Sequence, residues 1–143
     1  MSAELLAFTK ARAMSASMAE RNDCAVIALA CALGMEYTAA AMLCASLGRR
    51  HRKGTPWDTI HAFLGQYIAG YHKSESWTIL PRPVAASVWA TLHAKPAARY
   101  LVYTRGHMFA VCNRVVLDPA ARRSPTRSMR RVRRYLEIPN HAC

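Results

Sequence analysis

A chain of 143 residues fits one domain, and at 52% hydrophobic with only 8% aromatic residues its core must be built from modest side chains. The apolar run 25–34 is too short to span a bilayer, and the Met-Ser-Ala-Glu start lacks the basic-then-apolar pattern of a secretory signal, so neither a membrane protein nor a secreted one is expected. Five cysteines, an odd number without paired spacing, argue against a disulfide framework or structural zinc, and a formal charge of +12 points to an acidic partner or a strongly solvated surface.

Residues 3–20 are helix-permissive but weakly amphipathic and read as a short helix or an ordered N-terminal arm. Asn22 or Asp23 can cap a second helix, in which Val26, Ile27, Leu29, Ala30 and Leu33 wrap most of the circumference; Gly34 ends it, and it should be central. Thr38 can cap a third helix that stops at Gly48. A basic loop then leads to Thr55-Pro56, a cap followed by a first-turn proline, and a fourth helix runs to about Ala69. Residues 76–80 read as a short strand, Pro81 and Pro83 as a break, and residues 84–94 as a helix with Val88, Trp89 and Leu92 facing inward. Strands are predicted at 99–104, 107–112, 115–118 and 132–138, with an Arg-rich connection over 119–134. Helices first and a mostly antiparallel sheet second predict a single α+β domain over residues 1–143.

Charge is concentrated in two places. Arg49, Arg50, Arg52 and Lys53 surround His51, and Arg122, Arg123, Arg127, Arg130, Arg131, Arg133 and Arg134 form a denser group with no lysine. Arginine favours bidentate phosphate or carboxylate contacts, so the second group is a candidate surface for nucleic acid or an acidic protein. It has no interleaved aromatic residues and does not read as a stacking platform for single strands.

The chemistry-bearing residues lie elsewhere. Cys24 stands where polar, cap-forming residues give way to an apolar helix, and a helix start lowers a thiol pKa, the more so beside an imidazole. His107 sits in an alternating strand with Met108, Ala110 and Cys112 on one face and His107, Phe109 and Val111 on the other. A hairpin turn at Asn113-Arg114 sets Phe109 opposite Asp118 and brings His107 and Asp118 onto one face as diagonal neighbours; a slip of one residue separates them. Cys24, His107 and Asp118 together are the parts of a cysteine hydrolase, with Cys24 as nucleophile, His107 as base and Asp118 as its orienting acid. The backbone N–H of Cys24 is one oxyanion donor, and the Asn22 side chain is the nearest further candidate. Cys31 and Cys44 read as packing residues. His51, His61 and His72 lack neighbours at ligand spacing, so no metal or cofactor is expected. Trp57, Trp77 and Trp89 read as core residues, with a place in the wall of a substrate cleft as the alternative for Trp57, just after a helix start, and Asp58 is an acidic residue in that helix's first turn.

The Asn-Asp-Cys-Ala-Val-x-Ala-Leu-Ala start at 22–30, Gly48-Arg49, Lys53-Gly54-Thr55 and the Gly-His-x-x-Ala-Val and Val-Val-x-Asp elements at 106–111 and 115–118 resemble the papain-like cysteine peptidases, especially small phage and bacterial enzymes similar to bacteriocin-leader-processing peptidases. The resemblance covers residues 20–118 and implies a papain-like fold, the roles given above and a peptide or isopeptide substrate. Such enzymes carry a Gln upstream of the cysteine for the oxyanion hole; residues 15–21 contain none, which leaves Asn22 or Glu20 for that position. The cysteine content fits a reducing cytoplasm, that of a host cell or a virion-associated setting if the protein is phage-encoded. A second reading of the same residues is a papain-like scaffold with weak or no catalysis, acting as a basic binding protein for nucleic acid, a virion or an acidic host protein.

Overall fold

The structure, a computed structural model, describes residues 2–120, 126, 128 and 130–139. Helix α1 (Ala3–Ser17) is a formed helix rather than an arm: Ser2 caps it, its hydroxyl accepting from Leu5 N–H at 3.2 Å, and Phe8, Ala11 and Ser15 are buried. Helix α2 (Cys24–Leu33) buries every residue except Cys24 and Cys31, as expected of a helix apolar all round, and Gly34 closes it in the left-handed region at φ 66°. Helix α3 (Tyr37–Ser46) starts one residue before the expected cap at Thr38, with Glu36 in the cap position. In α4 (Trp57–Tyr67) the capping position falls to Pro56, and Thr55 makes no capping bond.

Strands β1 (Thr78–Ala85), β2 (Arg99–Thr104), β3 (His107–Cys112), β4 (Val115–Leu117) and β5 (Arg131–Ile138) form one antiparallel sheet in the order β1-β5-β2-β3-β4. The expected break at Pro81 and Pro83 is instead carried inside β1, as an irregularity between Ile79 and Val84. Proline lacks a ladder donor, and β1 tolerates two because it is an edge strand. Helix α5 (Ala86–Leu92) follows and is shorter than the predicted 84–94. Trp89 is buried as expected, but Val88 and Leu92 are exposed, 45% and 69%. Ala86 and Ala90 take the inner positions because Trp89, packed edge-on to Tyr100 with ring centroids 5.0 Å apart and 4.9 Å from Tyr135, already fills the space over the sheet.

The chain is thus α+β, with α2 laid on β3 and β2 and with α1 and α3 packed outside it. Leu101, Met108, Ala110 and Cys112 join the α2 cluster, while Val102, Phe109 and Val111 join the α5 cluster, so the alternation read from the sequence sets the two faces of the sheet. The β3–β4 turn is Asn113-Arg114, both at positive φ (49° and 63°), as a two-residue hairpin of type I′ requires, and it pairs Ala110 with Leu117 and Val111 with Val116. That is the register that carries His107 and Asp118 to one side.

Candidate functional site

Cys24 is the first residue of α2, and two clasps fix where that helix begins. The buried Asp23 carboxylate accepts from Ser15 Oγ and Tyr37 Oη, both at 2.6 Å, so it ties α1 and α3 to the helix start instead of capping α2 with its side chain. Glu20 accepts two parallel bonds from Arg49, each 3.0 Å, and a third from Arg52 N–H at 2.9 Å; Asn22 Nδ2 donates to Arg52 O at 3.2 Å. Arg49, expected in a surface cluster, is therefore buried against a buried carboxylate. Its bidentate geometry binds the segment before Cys24 to the loop after α3. Glu20, as an acceptor in this pair, is not an oxyanion donor.

His107 opens β3 immediately after Gly106, whose φ of 71° the tight turn requires. His107 Nε2 bonds Asp118 Oδ1 at 2.6 Å, and Asp118 is 1% exposed. The same Asp118 oxygen accepts from Ala120 N–H at 2.9 Å, the other accepts from Ser128 Oγ at 2.6 Å, and Arg130 Nε lies 3.7 Å away. With Nε2 committed to Asp118, Nδ1 is the ring nitrogen left for Cys24, and the two residues line one cleft. Cys24, His107 and Asp118 are thus brought together by the start of α2, the start of β3 and the residue after β4.

The electrostatics separate Cys24 from the other described thiols. Burial alone pushes its pKa up, but the bond and charge of His107 and the N–H groups of Met108 and Ala25 outweigh burial and hold it below the ordinary thiol value. Burial lowers the affinity of His107 for a proton, yet Asp118 and Cys24 raise its pKa to about 9. Burial likewise opposes ionisation of Asp118, and the bonds from His107, Ser128 and Ala120 overcome it and keep the carboxyl below its usual range. Burial without such partners pushes Cys31 and Cys112 up to about 12 and Cys44 to about 11. These four described cysteines are all free thiols.

A cleft of about 340 Å³ opens at Cys24 and His107, lined further by Asn22, Gly54, Thr55, Trp57, Ile60, Tyr103 and Gly106. Trp57 fills both of its expected places: it packs against the core and lines this cleft. Asn22 lines it too, at φ 55°, with one Nδ2 hydrogen spent on Arg52 O. Thr55, read from the sequence as a cap, is the residue that reading missed: its hydroxyl is buried in the cleft wall with no hydrogen-bond partner. A larger cavity of about 660 Å³ among α1, the end of α2, Arg99 and Cys112 shares no lining residue with this cleft and has no ionised thiol.

Of the candidate polyanion-binding residues, Arg122, Arg123 and Arg127 lie outside the described residues. Arg130, Arg131 and Arg133 are exposed, and Arg134 is half-buried. His51 bonds Met18 O, His61 bonds Tyr71 Oη, and His72 Nδ1 accepts from the N–H groups of Ser74 and Glu75. Among the described residues no three His, Cys, Asp or Glu side chains gather as metal ligands, and no described helix is long and apolar enough to cross a membrane.

Comparison with family models, curated proteins and solved structures returns no match for the chain. The geometry of its own residues therefore carries the functional argument.

Proposed function

We propose that this protein is a cysteine hydrolase of papain-like type, a peptidase that cuts a peptide or isopeptide bond. The observation that supports it is the 2.6 Å bond of Asp118 to His107, with His107 sharing a cleft with Cys24, the one described thiol whose pKa is lowered. In this reading His107 takes the Cys24 proton, and the buried Asp118 holds the ring and stabilises its cation. The thiolate attacks the substrate carbonyl. The carbonyl oxygen, now negative, is held by the N–H of Cys24, which as a first-turn donor has no partner within its helix, and by the remaining Nδ2 hydrogen of Asn22. His107 gives its proton to the departing amine as the C–N bond breaks, leaving a thioester on Cys24. Water, losing a proton to His107, then attacks the thioester carbonyl, and the C–S bond breaks to release the acid and return Cys24 as thiolate beside the protonated His107.

Free thiols and an ionised sulfur suit a reducing cytoplasm. The test is labelling with iodoacetamide near neutral pH: Cys24 reacts well ahead of Cys31, Cys44 and Cys112, and Cys24→Ala abolishes both that labelling and peptide cleavage. An unreactive Cys24 overturns the reading. A second reading, a basic binding protein, draws on the net charge of +12 and the exposed Arg130, Arg131 and Arg133. It requires salt-sensitive association with a polyanion that survives Cys24→Ala.

A further inference from the structure

Arg134 differs from the other arginines of its segment. It sits on β5 opposite Tyr103 of β2, and its guanidinium carbon lies 4.6 Å from the Tyr103 ring centre, 4.7 Å from that of Trp57 and 5.9 Å from that of Trp77. Those rings are fixed against one another: Trp57 meets Tyr103 at 5.2 Å and Trp77 at 5.8 Å, edge to face, and stacks on His61, whose Nδ1 bonds Tyr71 Oη. Trp77 Nε1 donates to the same Tyr71 hydroxyl at 2.9 Å. The arginine is thus held in place by a braced aromatic wall, and Trp57 and Tyr103 of that wall also line the cleft at Cys24 and His107.

Two properties of this arrangement point to a ligand. A guanidinium held against aromatic faces keeps its N–H groups directed outward in its own plane, the geometry that grips a carboxylate with two parallel bonds. Among the described residues Arg134 has no carboxylate partner: Asp58, next to Trp57, forms no ion pair with it, and the carboxylates that do form pairs, Glu20, Asp118 and Glu137, are engaged by other residues. The irregularity of β1 between Ile79 and Val84 lies opposite this part of β5, and along β5 itself the packing changes face: Val132 joins the α5 cluster while Leu136 joins the α2 cluster. An irregular ladder of this kind re-aims side chains beside a site.

We propose that Arg134, seated on Trp57 and Tyr103, two residues that line the Cys24 cleft, is a specificity-determining residue that binds an acidic side chain of the peptide substrate close to the bond attacked. The proposal rests on the peptidase reading for what the carboxylate is attached to, but binding can be measured without turnover. The Cys24→Ala protein is titrated with three labelled Ala-Gly octapeptides: one with a central Glu and an amidated C-terminus, its Gln twin, and a neutral peptide with a free C-terminal carboxylate. The Glu peptide binds about tenfold tighter than the Gln twin, and Arg134→Gln removes the difference. Arg134→Lys keeps part of it, because an ammonium retains the charge but not the fork. Equal affinity for Glu and Gln peptides, or no saturable binding of any of the three, overturns the proposal, as does a preference for the free C-terminus over the Glu side chain. The Glu/Gln comparison on otherwise unaltered protein reads the site even if Arg134→Gln does not fold. An iodoacetamide-reactive Cys24 with no Glu preference sinks this inference alone; a Glu preference with an unreactive Cys24 sinks the peptidase reading alone.

Discussion

Replacing Asp118 by Asn removes the charge behind His107 while leaving the local geometry nearly satisfiable. The introduced amide oxygen can still accept from His107 Nε2 and Ala120 N–H, and its NH2 group can donate to Ser128 Oγ, whose hydroxyl reverses its role. What is lost is a charge-assisted bond of 2.6 Å at a side chain 1% exposed to solvent. A hydrogen bond to a charged group contributes about 1.5–3 kcal/mol, equivalent to about 1–2 pKa units of imidazolium stability. Because thiolate and imidazolium stabilise each other, the loss appears on the sulfur as well. The assay is the rate of Cys24 alkylation by iodoacetamide against pH, followed by mass spectrometry of the labelled peptide. In the unaltered protein reactivity sets in well below the ordinary thiol range of about 8.5; in Asp118→Asn the onset moves up by about 1–2 pH units. An onset in the ordinary range before any substitution, or an unmoved onset after it, refutes the reasoning.

Stability against pH offers a second measurement. His107, raised to about 9 from 6.5, contributes stability that is complete below 6.5 and lost as pH rises through about 9. Cys24, lowered from 9.0, contributes in the opposite sense, present above 9.0 and lost as pH falls through its folded value. Above both 6.5 and the lowered Cys24 value, and below about 9, the pair holds one proton whether folded or unfolded, so urea midpoints should be flat there; Cys24→Ala exposes the part of the His107 contribution that Asp118 supplies, and its midpoint falls as pH rises above 6.5. Arg49→Ala strips the buried Glu20 of its guanidinium, leaving the Arg52 N–H bond and the exposed His51 beside it, and costs up to about 3–5 kcal/mol by urea titration, with Arg49→Lys recovering part of the loss. Thr55→Val removes an unpartnered buried hydroxyl at constant shape, so it leaves stability unchanged or slightly raised. If that hydroxyl serves the substrate, KM rises with little change in the alkylation rate of Cys24.

The hairpin was legible because its information is local: Asn113-Arg114 fixes the turn, and the turn fixes which residues share a face. Cys24 was legible for the same reason, as a polar-to-apolar boundary. The clasp of Glu20 by Arg49 was not, since the two lie 29 residues apart and a run of basic residues looks like solvated surface until one of them finds a buried acid. The prolines of β1 misled because edge position, which makes them tolerable, is a property of the whole sheet. Val88 and Leu92 misled because Trp89 claims the space that periodicity assigned to three residues. Arg134 read as one of seven similar arginines, and what distinguishes it is three rings from other parts of the chain.

The groups that lower the Cys24 pKa also bear on its fate under oxidative stress. A thiolate open to a cleft is the first sulfur peroxide meets, and it becomes a sulfenic acid while the buried, protonated thiols are spared. Rescue needs a second thiol. Cys31 lies two helical turns along α2, about 10 Å away and beyond disulfide reach, and neither Cys44 nor Cys112 lines the cleft. Among the described residues no thiol is placed to resolve the oxidised sulfur, and without a thiol from elsewhere it proceeds to the irreversible acids. The working life of this site is tied to the thiol pool around it.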